Sequence, residues 1–187
     1  MLSARDPLPF RPLRILIAGV TGSGKTTLAR RIGAQWALPA IEIDALFHGP
    51  DWTPRSQFLE EVQAFADRER WVTEWQYGGQ GTNAILAPRA QLVVWLDYPY
   101  RVVRTRLLRR TFLRRLLRTS LWNGNVEKPL WQPLGTDPQT NILLWQRHTL
   151  HKWDARLPQM AARYPHLTIV RLKTPRETGR WLRANAP

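Results

Sequence analysis

The chain has 187 residues and no cysteine, and its 28 lysines and arginines against 14 acids give a formal charge of +14. That length suits one ordinary domain with a substantial core, and the missing cysteines exclude a disulfide framework and cysteine-ligated zinc. A 43% hydrophobic, 22% charged composition with ten tryptophans is globular; no apolar run approaches the roughly 20 residues of a membrane span, and the charge predicts attraction to polyanions without naming one.

The opening MLSARDPLPFRP holds an acid and three prolines but no apolar h-region, so no secretion signal is expected. A cytoplasmic location is the expectation. LRILIAGV (13–20) is a short, β-branched apolar run that leads into glycines, as a buried strand of a parallel sheet does. The next segment, KTTLARRIGAQWAL, is helical in pattern with Leu28, Ile32 and Trp36 on one face. A second strand is expected at AIEID (40–44). A helix is expected from Thr53, where Thr-Pro places an N-cap before a first-turn proline and Phe58, Val62 and Phe65 supply an apolar face. WVTEW (71–75), LVVWLD (92–97) and LTIVRL (167–172) complete five strands. Between the last two lie RVVRTRLLRRTFLRRLLRTS (101–120), a loop over 121–138, and a helix over about 139–163. A last helix is expected near Pro175 behind the capping residue Thr174.

Strands alternating with helices predict a parallel α/β sheet with right-handed crossovers. Within it, Gly19-Val20-Thr21-Gly22-Ser23-Gly24-Lys25-Thr26 fits G-x-x-x-x-G-K-[ST] at every fixed position, between a strand and a helix. Polyphosphate demands several converging backbone N–H groups, and glycines let the chain wrap closely enough to supply them. Gly19, Thr21, Gly22, Ser23, Gly24, Lys25, Thr26 and Thr27 are therefore the expected ATP-binding residues. Lys25 is expected to reach the β- and γ-phosphates, and the Thr26 hydroxyl to ligate Mg²⁺. The chain has neither the N-K-x-D nor the D-x-x-G signature of a GTPase, and it is short for an ATPase motor. A compact kinase is what remains.

The segments GVTGSGKTTLAR, IEIDALFHGPDWTP, LVVWLDYPYRVVRTRLLRRT, LWNGN and ILLWQRHTLHKW run through most of the chain. Together they resemble the P-loop kinases of the adenylate kinase and shikimate kinase group, and more narrowly the bacterial proteins filed as topology modulation proteins or adenylate-kinase-like ATPases. The phosphate loop is widely shared, whereas D-x-L-x-x-G-P-x-W-T-P and L-W-N-G-N are specific. The resemblance implies a single three-layer α/β/α domain over 1–187, with a five-stranded parallel sheet in the order 2-3-1-4-5. It also implies an acceptor-binding helical segment over about 45–70 and a helical lid over about 111–138.

Asp44, expected at the carboxyl end of the second strand where such sheets bind ligands, would by this resemblance support Mg²⁺ or activate the acceptor hydroxyl; capping a helix is its alternative. Glu42 would point the same way on a regular strand. Glu74 ends the third strand and is expected to hold the metal through water. Relatives have Asp-Gly-Asn-Tyr where this chain has Glu74-Trp75-Gln76-Tyr77, so the bulky Trp75 puts the shape of the acceptor pocket in question. Asp97 is expected to cap the next helix.

In the basic run the paired apolar residues at 102/103, 107/108, 112/113 and 116/117 form one stripe flanked by eight arginines, the pattern of a helix packed on a body. Arg106 and Arg110, four apart, share a face. The resemblance places Arg106 against the nucleotide, Arg110 at the transferred phosphoryl and Arg147 of the lid's return helix as the third clamp, with Arg109, Arg114 and Arg115 as alternates. Trp52 and Tyr77 could stack on an acceptor base. His148 and His151 lack metal-ligand spacing.

The function expected is ATP- and Mg²⁺-dependent transfer of the γ-phosphoryl to a small acceptor, a nucleotide or nucleoside first. A nucleic-acid-binding ATPase, prompted by charge, is the rival, and the chain has no recognisable nucleic-acid-binding module to support it. A nucleotide-binding regulator is the third reading.

Overall fold

The structure is a computed structural model, and it describes residues 1–117, 122–125, 146 and 149–186, the side chain of Arg115 excepted. Five strands pair in parallel: β1 (Arg14–Gly19), β2 (Ala40–Ile41), β3 (Trp71–Glu74), β4 (Leu92–Leu96) and β5 (Thr168–Leu172). Their order is β2-β3-β1-β4-β5, as the family resemblance implies. β1, β3 and β4 are buried at almost every position, because helices cover a parallel sheet on both faces. The chain start adds a short contact to the far edge. Leu2 bridges Val170 in parallel, and its N–H donates to the Ile169 carbonyl at 2.7 Å.

The α-helices with described bounds are α1 (Lys25–Trp36), α2 (Ile43–Phe47), α3 (Phe58–Ala66), α4 (Thr82–Leu86), α5 (Tyr100–Leu116), α6 (Lys152–Arg163) and α7 (Pro175–Ala184). α1 buries Leu28, Ile32 and Trp36, and α3 buries Phe58, Val62 and Phe65, the faces that their periodicity predicted. α7 starts as its cap signal requires. The Thr174 side chain accepts from the Glu177 N–H, and the Glu177 carboxylate accepts from the N–H of Lys173, the residue before the cap.

Five expectations need correction. The second strand ends at Ile41, so Glu42 and Asp44 lie not on a strand but at the start of α2, Glu42 as its N-cap residue and Asp44 within its first turn. The helix expected from Thr53 begins five residues later at Phe58. Thr53 instead closes a 3₁₀ turn over Pro50–Trp52, its N–H and hydroxyl both donating to the Pro50 carbonyl, while Pro54 bridges His48. The capping capacity of Thr53 is thus used by a tight loop, which competes with the helix for the same hydroxyl.

The basic helix α5 is anchored less than its apolar stripe suggests. Val103 and Leu107 are fully buried, but Leu108, Phe112, Leu113, Leu116 and Leu117 are exposed. A 17-residue helix is about 25 Å long, and its second half runs beyond the layer that buries its first two turns. Asp97 does not cap α5. Its carboxylate accepts from Arg171 of β5 at 2.8 and 2.6 Å, and that guanidinium also lies over the Trp95 ring. Most of the expected lid, and residues 139–145, 147 and 148 of the helix expected over 139–163, Arg147 and His148 included, lie outside the described residues; residues 149–151 of that span form a turn, and α6 begins only at Lys152. No described helix is long and apolar enough to cross a membrane.

Candidate active site

β1 delivers its last residue, Gly19, to a loop that wraps the start of α1. Gly22 shows why that loop tolerates no side chain. Its φ of +86° is in the left-handed region, and a Cβ there would lie 2.5 Å from the Val103 carbonyl of α5. The phosphate loop and the basic helix are thus in backbone contact, which fixes one against the other. Gly24, with φ +94°, is the N-cap residue of α1 and leaves the helix N-terminus open toward a phosphate.

Lys25 is buried, and its ammonium donates to the Val20 carbonyl at 3.3 Å. Burial is the main reason that its pKa falls to about 8. Asp44 and Glu74 pull it back up, while Arg110 and Lys152 push it further down. Those four groups therefore stand around the lysine, two acids and two cations.

Glu74 is buried at the end of β3, opposite Ile17 of β1, and meets the Thr26 hydroxyl as well as the Ile43 N–H at 3.3 Å. Its pKa is raised, first by desolvation and also by Asp44, against the lowering effect of the Thr26 hydrogen bond. A hydroxyl on a buried carboxylate, with a second acid beside it, suits Mg²⁺, which takes few protein ligands and keeps waters and phosphate oxygens. Among the described residues no group of three or more His, Cys, Asp or Glu side chains forms a denser metal cage.

Asp44 is held from one side. Its Oδ1 accepts from the Tyr77 hydroxyl at 2.6 Å and from Gln76 Nε2 at 3.0 Å. Because the Tyr77 proton goes to Asp44, the 3.1 Å contact between Tyr77 Oη and His48 Nε2 requires His48 to donate. Burial and neighbouring negative charge raise the Tyr77 pKa, which keeps that proton on the phenol. The helical start of α2, rather than a strand end, aims Asp44 here. Glu42 is turned elsewhere: it takes Arg30 Nε at 2.7 Å and Trp122 Nε1 at 3.0 Å, and so does not join the cluster.

Arg106 reaches the phosphate loop, donating to the Ser23 carbonyl at 3.3 Å while its guanidinium lies 5.4 Å from the centre of the Tyr98 ring. Arg110, one turn on, is close enough to depress Lys25. Arg109 is exposed. Gln146 was not anticipated from the sequence. It is fully buried and donates to the Thr21 carbonyl at 2.8 Å, tying the return segment to the phosphate loop. A lone glutamine carries no spacing signal by which a sequence could reveal it.

The two segments that carry the narrower resemblance meet in space. Asn125 Nδ2 donates to the Gly49 carbonyl at 2.8 Å and its Oδ1 accepts from the Trp52 N–H at 3.2 Å. Asn123 binds the His48 carbonyl, and the Trp122 ring stacks on His48 at 6.1 Å. Asp51, Trp52 and Asn123 all take left-handed φ near this seam, a conformation non-glycine residues hold only when their surroundings enforce it. Trp52 thus belongs to an aromatic wall with His48 and Trp122, whereas Tyr77 stacks on Phe47 at 4.1 Å.

Trp75 does not enter this space. It is buried, its Nε1 donates to Asn83 Oδ1 at 2.9 Å, and its ring packs on Trp153. His151 pairs with the carboxylate of Asp154 at 3.0 Å, a partner that spacing between histidines does not reveal.

No protein-family model and no curated protein matches this sequence. Solved structures similar to this chain include two that align over almost the whole length. A gluconokinase from Sinorhizobium meliloti 1021 aligns with TM-score 0.50 and 20% identity, over 93% of this chain and 94% of that one. An unliganded sugar kinase from Janibacter sp. HTCC2649 aligns with TM-score 0.51 and 21% identity, over 93% and 92%. At these identities the likeness is one of fold, and the narrower resemblance to topology modulation proteins rests on the sequence segments alone. The chain shares the fold of these two kinases.

Proposed function

We propose that the protein is an ATP- and Mg²⁺-dependent phosphotransferase that moves the γ-phosphoryl of ATP to a hydroxyl of a small acceptor. The observation that carries this reading is the convergence of Lys25, Thr26, Glu74 and Asp44 at the carboxyl end of the sheet, with Arg106 and Arg110 beside them. The loop from Gly19 through Thr27 supplies backbone donors to the phosphates, and Lys25 supplies charge to the β- and γ-phosphates. Thr26 and Glu74, with Asp44 close by, would hold Mg²⁺, which when bound neutralises charge across the phosphates. Arg110, and Arg147 beyond the described residues, would meet the charge that develops on the transferring group.

Asp44 has the second role. With Oδ1 committed to Tyr77 and Gln76, its other oxygen is left to accept the proton of the acceptor hydroxyl. The acceptor would lie between Asp44 and the wall of His48, Trp52 and Trp122, within the acceptor segment over about 45–70. A base or the apolar face of a sugar stacks on such rings, so nucleosides, nucleotides, sugars and sugar acids belong in the same test. Coupled ADP release measured against that panel, with Lys25→Ala as the control, decides. At least one acceptor should accelerate turnover well above the control; if none does, the kinase reading fails.

A further inference from the structure

α6 carries two cations that phosphoryl transfer by the residues above does not use. Lys152 and Arg156 stand four apart and so share a face. Arg156 is half-buried, its guanidinium 5.9 Å from the centre of the Trp75 ring and 5.2 Å from that of Trp153. It also fills the place of the side chain that Gly78 lacks, since a Cβ there would lie 1.9 Å from Arg156 Nη2. Gly78 follows Tyr77 directly, so the guanidinium is set beside the residue that holds Asp44. A guanidinium that lies over rings can still donate through its N–H edges.

Among the described residues no carboxylate pairs with either cation. Both pKa values lie below the ordinary value, through desolvation in Arg156 and through desolvation and then the charge of Arg156 in Lys152. Lys152 is more exposed than Arg156, yet its charge is felt at Lys25. Two like charges four residues apart on one helix, with no carboxylate paired to them among the described residues, suit an anion as their partner. Arg156 is placed beside Tyr77, the residue that holds Asp44, rather than at the phosphate loop. The phosphate loop meets Arg106 at Ser23, whereas Arg156 lies on the β3 side, over Gly78 and Trp75.

We propose that Lys152 and Arg156 form an anion subsite for the acceptor, so that the acceptor carries a carboxylate or a phosphate besides the hydroxyl that is phosphorylated. The proposal rests on the kinase reading. It also accounts for the tryptophan that replaces glycine in Glu74-Trp75-Gln76-Tyr77. Together with Trp153 it flanks a planar guanidinium, the donor best suited to bind a carboxylate or phosphate through two hydrogen bonds.

The test is calorimetric binding to the chain loaded with Mg²⁺ and a non-hydrolysable ATP analogue, so that phosphate probes cannot occupy the loop. The probes are gluconate against the neutral sorbitol, AMP against adenosine, and inorganic phosphate. At least one anion should bind roughly tenfold or more tightly than its neutral counterpart, the order lost with a charge-assisted hydrogen bond. Arg156→Met should abolish that margin, and Lys152→Ala should narrow it several-fold. Gly78→Ala, which keeps both charges but displaces the guanidinium, should weaken the anion as Arg156→Met does. Binding by gluconate alone assigns a carboxylate, and binding by AMP and inorganic phosphate assigns a phosphate. No anion binding to the loaded chain, or equal anion binding by wild type and all three variants, overturns the subsite. Calorimetry on the loaded chain does not depend on transfer, so failure of the kinase reading would be seen separately in the ADP assay.

Discussion

The two halves of the candidate site are built in different ways. The nucleotide half is backbone: a left-handed glycine loop at the end of β1, closed against the Val103 carbonyl and opened at the N-terminus of α1. The acceptor half is side chain against side chain, with segments about 75 residues apart joined through Asn125, His48 and Trp122. A backbone site leaves a dense local signature, because only glycine fits it. A site made of long-range side-chain contacts leaves scattered residues whose partners appear only once the chain is folded.

That contrast can be broken by substitution, beginning with the nucleotide half. Lys25→Met should lower transfer by roughly 10²-fold or more, as for removal of one preorganised electrostatic contact, read as kcat with ATP saturating. Tyr77→Phe should reduce kcat by about tenfold, because Asp44 loses a hydrogen bond worth about 1–2 kcal/mol to its orientation. The KM for ATP should barely move, since Tyr77 touches only the acceptor half. Asn125→Ala should cost about 1–3 kcal/mol of stability by leaving the Gly49 carbonyl and the Trp52 N–H without their partner, measured by denaturant unfolding. A loss of ATP affinity as large as the loss of stability would show that the halves are not separate.

A further effect is one of pH. The folded pKa of Lys25, about 8, lies below its ordinary 10.5, so between those values the unfolded chain binds more protons and stability rises with pH. Below pH 8 the buried ammonium imposes its full penalty. Lys25→Met removes it, so the variant should melt higher than wild type near neutral pH, and the gap should close as pH rises from 8 toward 10.5. A gap that widens over that window would contradict the burial of the charge.

The phosphate loop and the buried faces of α1 and α3 were legible, because periodicity and glycine spacing are local, whereas the order of the sheet came only with the family resemblance. Asp44 and Glu74 were legible as acids near strand ends, although Asp44 owes its place to α2. The start of α3 was misread because Thr53 can cap a helix or close a turn, and only the bridge between His48 and Pro54 selects the turn. The apolar stripe of α5 signalled a helix but not how far the body beneath it extends. Gln146, the Asn125 seam and the Arg156 slot carry no spacing signal at all. They exist because the fold brings distant segments together.

The most direct measurement is the fate of the γ-phosphoryl itself. With ATP labelled at that position, the account predicts that label moves to one of the panel acceptors and that Asp44→Asn abolishes the movement. Label recovered only as inorganic phosphate, at a rate no acceptor changes, would contradict it.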